Sequence, residues 1–334
     1  MAQEWGPDIL GRPFARLTLP LGEDSEGPVV ATLVRSIPNP LVSIVRPLHE
    51  VDVLYVHGWS DYFFQTRLAR FWNALGARFY ALDLRKYGRS LRDGQTPGYV
   101  ASLDEYDADI AAALAAMGRV GPAASRRRLV LMGHSTGGLV LTLWAGRHPG
   151  VAAALVLNSP WLELQLGAIG RQAIAPLVDM RARFQPLGGH PVVDFGFYTR
   201  AQTEVGALPV PGYRADWRPE RGFGTHPGWL AAVLDGHRRV AAGVDPACPS
   251  LVLLSARSTA PLAWNETMTS SDSVLVVDDI ARAAARILPL VTIARIDGAI
   301  HDVFLSRAPA RDEAFAVLRR WMTRSAVSRA KMRR

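Results

Sequence analysis

Short runs of apolar and β-branched residues recur at 29–34, 41–45, 51–56, 78–82, 128–132, 153–157, 250–254 and 291–296, each followed by a loop rich in Gly, Asp, Ser or Pro. Runs of this length predict strands buried on both faces. Between them the apolar positions take up a helical period, over 62–75, 102–117, 136–147, 229–241, 279–288 and 309–324. Strands that alternate with helices predict a parallel sheet, because each crossover between parallel strands needs a dozen residues or more and a helix supplies them. The expected fold class is α/β, with a mostly parallel, eight-stranded sheet flanked by helices. One interval breaks the rhythm. Residues 161–245 separate the sixth of these strands from the seventh by far more than one crossover needs, and they are rich in Gly, Pro and aromatics. They read as an inserted cap, which leaves a core of 1–160 and 246–325 and a tail of 326–334.

Composition narrows the picture. Over 334 residues, 49% hydrophobic and 20% charged content excludes a largely disordered, collagenous or coiled-coil chain. The longest uncharged stretch near the middle, 149–162, is broken by Pro160 and too short for a bilayer core that needs ~20 apolar residues. The first twenty residues carry Glu4 and Asp8 and lack the apolar segment of a secretory leader, so a cytoplasmic location is expected. The single cysteine, Cys248, has no partner for an intramolecular disulfide and reads as a buried structural thiol. Net charge is +8, but Arg324, Arg329, Lys331, Arg333 and Arg334 fall in the last eleven positions, where there is no acid. Without aromatic interleaving or an amphipathic period, this tail reads as a solvated, disordered end that offers weak contact to an anionic membrane surface and does not recognise nucleic acid. Arg126 to Arg128 read as a solvated loop.

Chemistry concentrates where the apolar run 128–132 gives way to Gly133-His134-Ser135-Thr136-Gly137 and then to a helical period. This is the G-x-S-x-G nucleophile elbow. A strand-to-helix reversal so tight strains the backbone at the serine, and the two glycines leave room where a Cβ would clash. Ser135 is the candidate nucleophile. A serine nucleophile needs a base and a group to orient it, which in this topology follow it in the order acid, then histidine. His301 lies in the loop after the last strand, where an imidazole can reach Ser135; the other seven histidines lie before the serine, beside it or in the cap. Upstream, Tyr55-Val56-His57-Gly58-Trp59 ends a buried strand, and the backbone N–H groups of Trp59 and Thr136 are the candidate oxyanion-hole donors.

Together, His57-Gly58-Trp59, the segment from Phe79 to Ser90, Gly133-His134-Ser135-Thr136-Gly137-Gly138 and Gly298-Ala299-Ile300-His301-Asp302 resemble the α/β-hydrolase superfamily over about residues 30 to 325. Within it the chain is most similar to the serine aminopeptidase and monoglyceride-lipase-like (lysophospholipase-like) branch. The resemblance implies hydrolysis of a carboxylic ester by a catalytic triad, without metal or organic cofactor, and a structural role for Asp83 to Ser90. It also bears on the acid, for which Asp272, Asp278 and Asp279 are in range. Asp278 and Asp279 directly precede a helical stretch, where a carboxylate caps the helix and complements its dipole. Asp272 precedes Ser273-Val274-Leu275-Val276-Val277, a pattern like the one that follows the acid in related hydrolases. Asp272 is therefore the first candidate and Asp278 the second.

Metal and nucleotide chemistry lack their parts: there is no HExxH, no CxxC pair, no P-loop and no GxGxxG. The expected substrate is a small acyl ester such as a monoacylglycerol or lysophospholipid. Two alternatives stand beside it. An aminopeptidase or amidase would use the same triad, with Glu163, Asp179, Asp194, Glu204 or Asp216 of the cap binding a free α-amine; a noncatalytic ligand-binding protein could use the same scaffold. The cap aromatics Trp161, Phe184, Phe195, Phe197, Tyr198, Tyr213, Trp217 and Trp229 are candidates to line an acyl pocket, and each taken singly reads as core.

Overall fold

The computed structural model describes residues 4–121, 124–189 and 195–324. In chain order the elements are β1 (Gly6–Pro7), β2 (Ala15–Asp24), β3 (Gly27–Ser36), α1 (Pro40–Ser43), β4 (Val51–Val56), α2 (Thr66–Ala74), β5 (Arg78–Asp83), α3 (Tyr106–Ala116), β6 (Arg128–His134) and α4 (Thr136–Arg147). They continue with β7 (Ala154–Asn158), α5 (Gly167–Phe184), α6 (Phe197–Glu204), α7 (Pro227–Ala241), β8 (Ser250–Ser255), α8 (Val277–Ala284), β9 (Val291–Ile296) and α9 (Ala308–Arg324). One sheet runs β1-β2-β3-β5-β4-β6-β7-β8-β9. Its first three strands pair antiparallel with each other and with β5, and every pair from β5 to β9 is parallel.

The α/β class holds, with three corrections. The sheet has nine strands rather than eight, because β1 and β2 extend the antiparallel edge. The apolar run 41–45 is not a strand. Asn39 caps Leu41 N–H with its side chain and Pro40 opens the single helical turn α1, whose apolar side chains stay exposed. The long insertion consequently follows the seventh strand.

The central strands are mostly apolar because helices cover both faces. Along β4, Leu54 and Val56 join one core with Leu129 and Leu131 of β6, while Val53 and Tyr55 join the other with Val130 and Met132. At the N-terminal end of β4 the fully buried Asp52 is held by Arg78, Arg119 and Arg127, with Arg127 Nε 2.6 Å from its Oδ1. Arg127 is therefore half-buried in an ion-pair cluster, and of the run 126–128 only Arg126 is exposed.

Between β7 and β8 the insertion holds α5, α6 and α7. Of these, α7 packs on α4 of the core: a Cβ added at Gly236 would stand 3.2 Å from Leu143 and 3.3 Å from Leu139 of α4. On its other side α7 meets α5. No helix among the described residues is long and apolar enough to cross a membrane. The tail expected at 326–334 lies outside the described residues. Cys248 is buried, and burial pushes its thiol up to about 11.

Candidate active site

The reversal between β6 and α4 is built by what cannot be there. A Cβ at Gly137 would stand 2.2 Å from the His57 carbonyl oxygen, and one at Gly133 would stand 2.6 Å from that of Gly137. Only glycine lets α4 start against the end of β4. Ser135, at the tip, takes φ +51, a left-handed conformation that a serine holds only under constraint. Its N–H donates to the Asn158 carbonyl at 3.1 Å, and its own carbonyl accepts Trp161 N–H at 3.0 Å.

His301 follows β9 and is 2% exposed; its Nδ1 lies 2.9 Å from Asp272 Oδ2. The other carboxylate oxygen, Oδ1, accepts the amides of Val274 and Leu275, each at 2.8 Å. Asp272 reaches this place because its strip of chain pairs beside β8's continuation: its N–H donates to Arg257 and its carbonyl accepts Thr259 N–H. The ring of His301 stands 4.9 Å, centroid to centroid, from that of His134, the residue before Ser135. Asp272, His301 and the elbow are thus brought together at one end of the sheet.

Asp278 and Asp279 are elsewhere. Both lie in the first turn of α8, but the cap position is Val276 and neither side chain makes a capping hydrogen bond. Instead Asp278 pairs with Arg295 and Asp279 with Arg282.

The candidate oxyanion amides flank the serine from two directions. A Cβ at Gly58 would come within 3.0 Å of Ser135 Cβ, so the Gly58–Trp59 peptide passes beside that serine. Thr136 opens α4, where an N–H has no acceptor inside its own helix. The two histidines next to these donors are structural. His57 Nε2 accepts Leu84 N–H at 3.1 Å while Nδ1 meets the Gly58 carbonyl at 2.8 Å, which joins the ends of β4 and β5. His134 Nδ1 meets the Asn158 carbonyl at 3.1 Å, and burial drives its pKa down to about 4.

The family described as serine aminopeptidase, S33 matches residues 49–258. The chain belongs to this family. Over 109 residues it is 29% identical to a monoacylglycerol lipase of Mycolicibacterium smegmatis, a match that spans 32% of the chain and 37% of that protein. Among solved structures, the monoacylglycerol lipase of Paleococcus ferrophilus superposes with a TM-score of 0.62 at 18% identity, over 87% of this chain and 98% of that one. A soluble variant of the Saccharomyces cerevisiae monoglyceride lipase, bound to a substrate analogue, gives 0.60 at 13% identity over 90% and 92%. At such identities these structures share the fold of this S33-family α/β hydrolase.

Two polar groups next to the candidate site escaped the sequence reading. Asp302, next to His301, accepts Asn158 Nδ2 at 2.7 Å, and Asn158 Oδ1 in turn accepts Val303 N–H at 3.2 Å. Since the Asn158 carbonyl also takes Ser135 N–H, this pair ties the histidine loop to the elbow. Its only trace in the sequence is a polar residue ending an apolar strand. The cap aromatics divide: Phe184 and Phe195 are exposed, Trp229 is buried between Trp59 and the buried Trp161, and the ring of half-buried Tyr198 lies 5.3 Å from that of His301, centroid to centroid. No cluster of three metal-binding side chains occurs among the described residues.

Proposed function

We propose that this protein is a serine hydrolase that cleaves a carboxylic ester of a small acyl compound, such as a monoacylglycerol or lysophospholipid, through an acyl-enzyme intermediate. The observation that carries this reading is the Asp272–His301 couple, buried and hydrogen-bonded, beside a serine held at φ +51 on a glycine-lined elbow. Ser135 Oγ attacks the ester carbonyl as His301 Nε2 takes its proton, and Asp272 holds the imidazole by Nδ1 and stabilises its cation. The amides of Trp59 and Thr136 stabilise the oxyanion. His301 then returns the proton to the departing alcohol, and water, activated by the same imidazole, releases the acid.

An ester is favoured over a peptide with a free α-amine. Of the carboxylates named as candidates for such an amine, the four described ones are each already met by an arginine: Glu163 by Arg171, Asp179 by Arg238, Glu204 by Arg200 and Asp216 by Arg214. Asp194 lies outside the described residues. Fluorophosphonate labelling of the wild type beside Ser135→Ala tests the nucleophile, and p-nitrophenyl esters against aminoacyl anilides test the bond. Serine-dependent labelling with ester turnover supports the reading; absence of labelling would leave a binding protein on a hydrolase scaffold.

A further inference from the structure

The chain just past β4, which carries the candidate oxyanion amide, is gripped by the cap at four successive residues. The Trp59 ring lies against that of Trp229, 3.7 Å between centroids. Ser60, at φ +49, accepts Phe223 N–H on its hydroxyl at 3.0 Å. Asp61 Oδ1 stands 3.1 Å from Arg218 Nε, and the Tyr62 hydroxyl accepts Arg214 N–H at 2.5 Å. A serine in the left-handed region is strained and persists only where its surroundings hold it.

Arg218 is the contact that joins this loop to the other side of the site. Its Nη2 donates to Gln202 Oε1 of α6 at 2.7 Å, and its guanidinium carbon lies 5.6 Å from the ring of Tyr198, which covers His301. Side-chain exposure is 6% for Arg218 and 8% for Asp61, so the pair is removed from water. A buried ion pair is a poor source of net stability, because desolvation offsets the attraction; what it does fix is geometry, since either charge left alone is heavily penalised. Asp61 also faces the carboxylates of Asp302 and Asp83, and burial pushes its own carboxyl up to about 7 against the pull of Arg218.

We infer that Arg218 is a positioning residue: by clamping Asp61 beneath the oxyanion loop and α6 over His301, it holds the Trp59 amide and the imidazole in register around Ser135. The inference rests on the serine-esterase reading. A displacement of about 1 Å in a reacting group costs on the order of 10²-fold. Arg218→Gln is therefore expected to lower kcat on p-nitrophenyl acetate roughly 10- to 100-fold with KM within about twofold, and to slow fluorophosphonate labelling of Ser135 by the same factor. Asp61→Asn, which keeps the side chain's size, should show the same split to a smaller degree. The double variant should lose no more than Arg218→Gln alone, because both changes break one contact. If Arg218→Gln does not fold, the kcat and labelling rate of Asp61→Asn decide. Variants that melt lower yet label and turn over at the wild-type rate would overturn the inference and make the pair a strut. A wild type that fails to label would overturn the esterase reading with it, so the two failures are told apart.

Discussion

Asp272 and His301 meet at 2.9 Å, and the carboxylate that joins them is pinned on its far oxygen by the amides of Val274 and Leu275. With both oxygens engaged the carboxylate cannot turn away from the imidazole, so it specifies which ring nitrogen carries the proton. An asparagine here keeps the two amide bonds and presents an NH₂ group to Nδ1, which forces the wrong tautomer. Asp272→Asn should therefore lower kcat by as much as ~10⁴ with little change in KM. Asp278→Asn and Asp279→Asn remove ion pairs at the surface end of α8, worth about 0–1 kcal/mol, and should keep wild-type kcat. Steady-state kinetics and melting of the three variants check this, and loss of turnover in Asp278→Asn instead would move the acid.

Ser135→Ala and His301→Ala should each cost on the order of 10⁴–10⁶ in kcat, and the double variant little more, because the groups act as one unit. Circular dichroism should be unchanged. Near-wild-type esterase activity in either variant would remove that residue from the mechanism.

The elbow makes a packing prediction independent of chemistry. Gly137→Ala places a Cβ 2.2 Å from the His57 carbonyl oxygen and 2.5 Å from that of Val56, so backbone must move. The expected loss is about 3 kcal/mol, or roughly 5–10 °C in Tm. Gly224→Ala, whose Cβ would meet nothing within 4 Å, is the control. Equal melting of the two would show that β4 and α4 are less tightly apposed than described.

His237 gives a pH dependence with a definite sign. It is fully buried, its Nε2 meets the Trp161 carbonyl at 2.9 Å, and burial lowers its pKa from 6.5 to about 4. The folded state then binds fewer protons than the unfolded one, so this contribution is present above pH 6.5 and is lost as pH falls towards 4. Relative to His237→Gln, which has no such titration, the wild type should lose roughly 2–3 kcal/mol between pH 7 and 4.5. Urea unfolding of both proteins at the two pH values measures it, and parallel behaviour would show that the ring is hydrated.

The parallel half of the fold was legible because strands buried on both faces are apolar at nearly every position, as Val53 to Val56 and Leu251 to Leu254 are. What escaped was written in another pattern. In β2 the sequence Arg16-Leu17-Thr18-Leu19 alternates, since this strand near the sheet edge buries only Leu17 and Leu19 of the four. The cap helix α5 was obscured for the opposite reason. Leu166 just before it and Ile169, Leu177, Met180 and Phe184 within it are exposed, and Pro176 lies in its interior, so its apolar residues do not mark a core. In the site, Ser135 and His301 were given by motif and by order along the chain. Asp302–Asn158 and Asp61–Arg218 join residues 144 and 157 positions apart, and no local pattern encodes a partner at that distance.

The helix α7 has a consequence for anyone wishing to transplant the cap. Although it lies inside the inserted stretch, its Gly236 is seated on α4, so an exchange that replaced 161–245 would strip α4 of its cover. A graft that ends before Pro227 keeps that cover. It would still strand Asp61 without its arginine, and so a foreign cap could be accommodated only if it brought a cation of its own to the same spot.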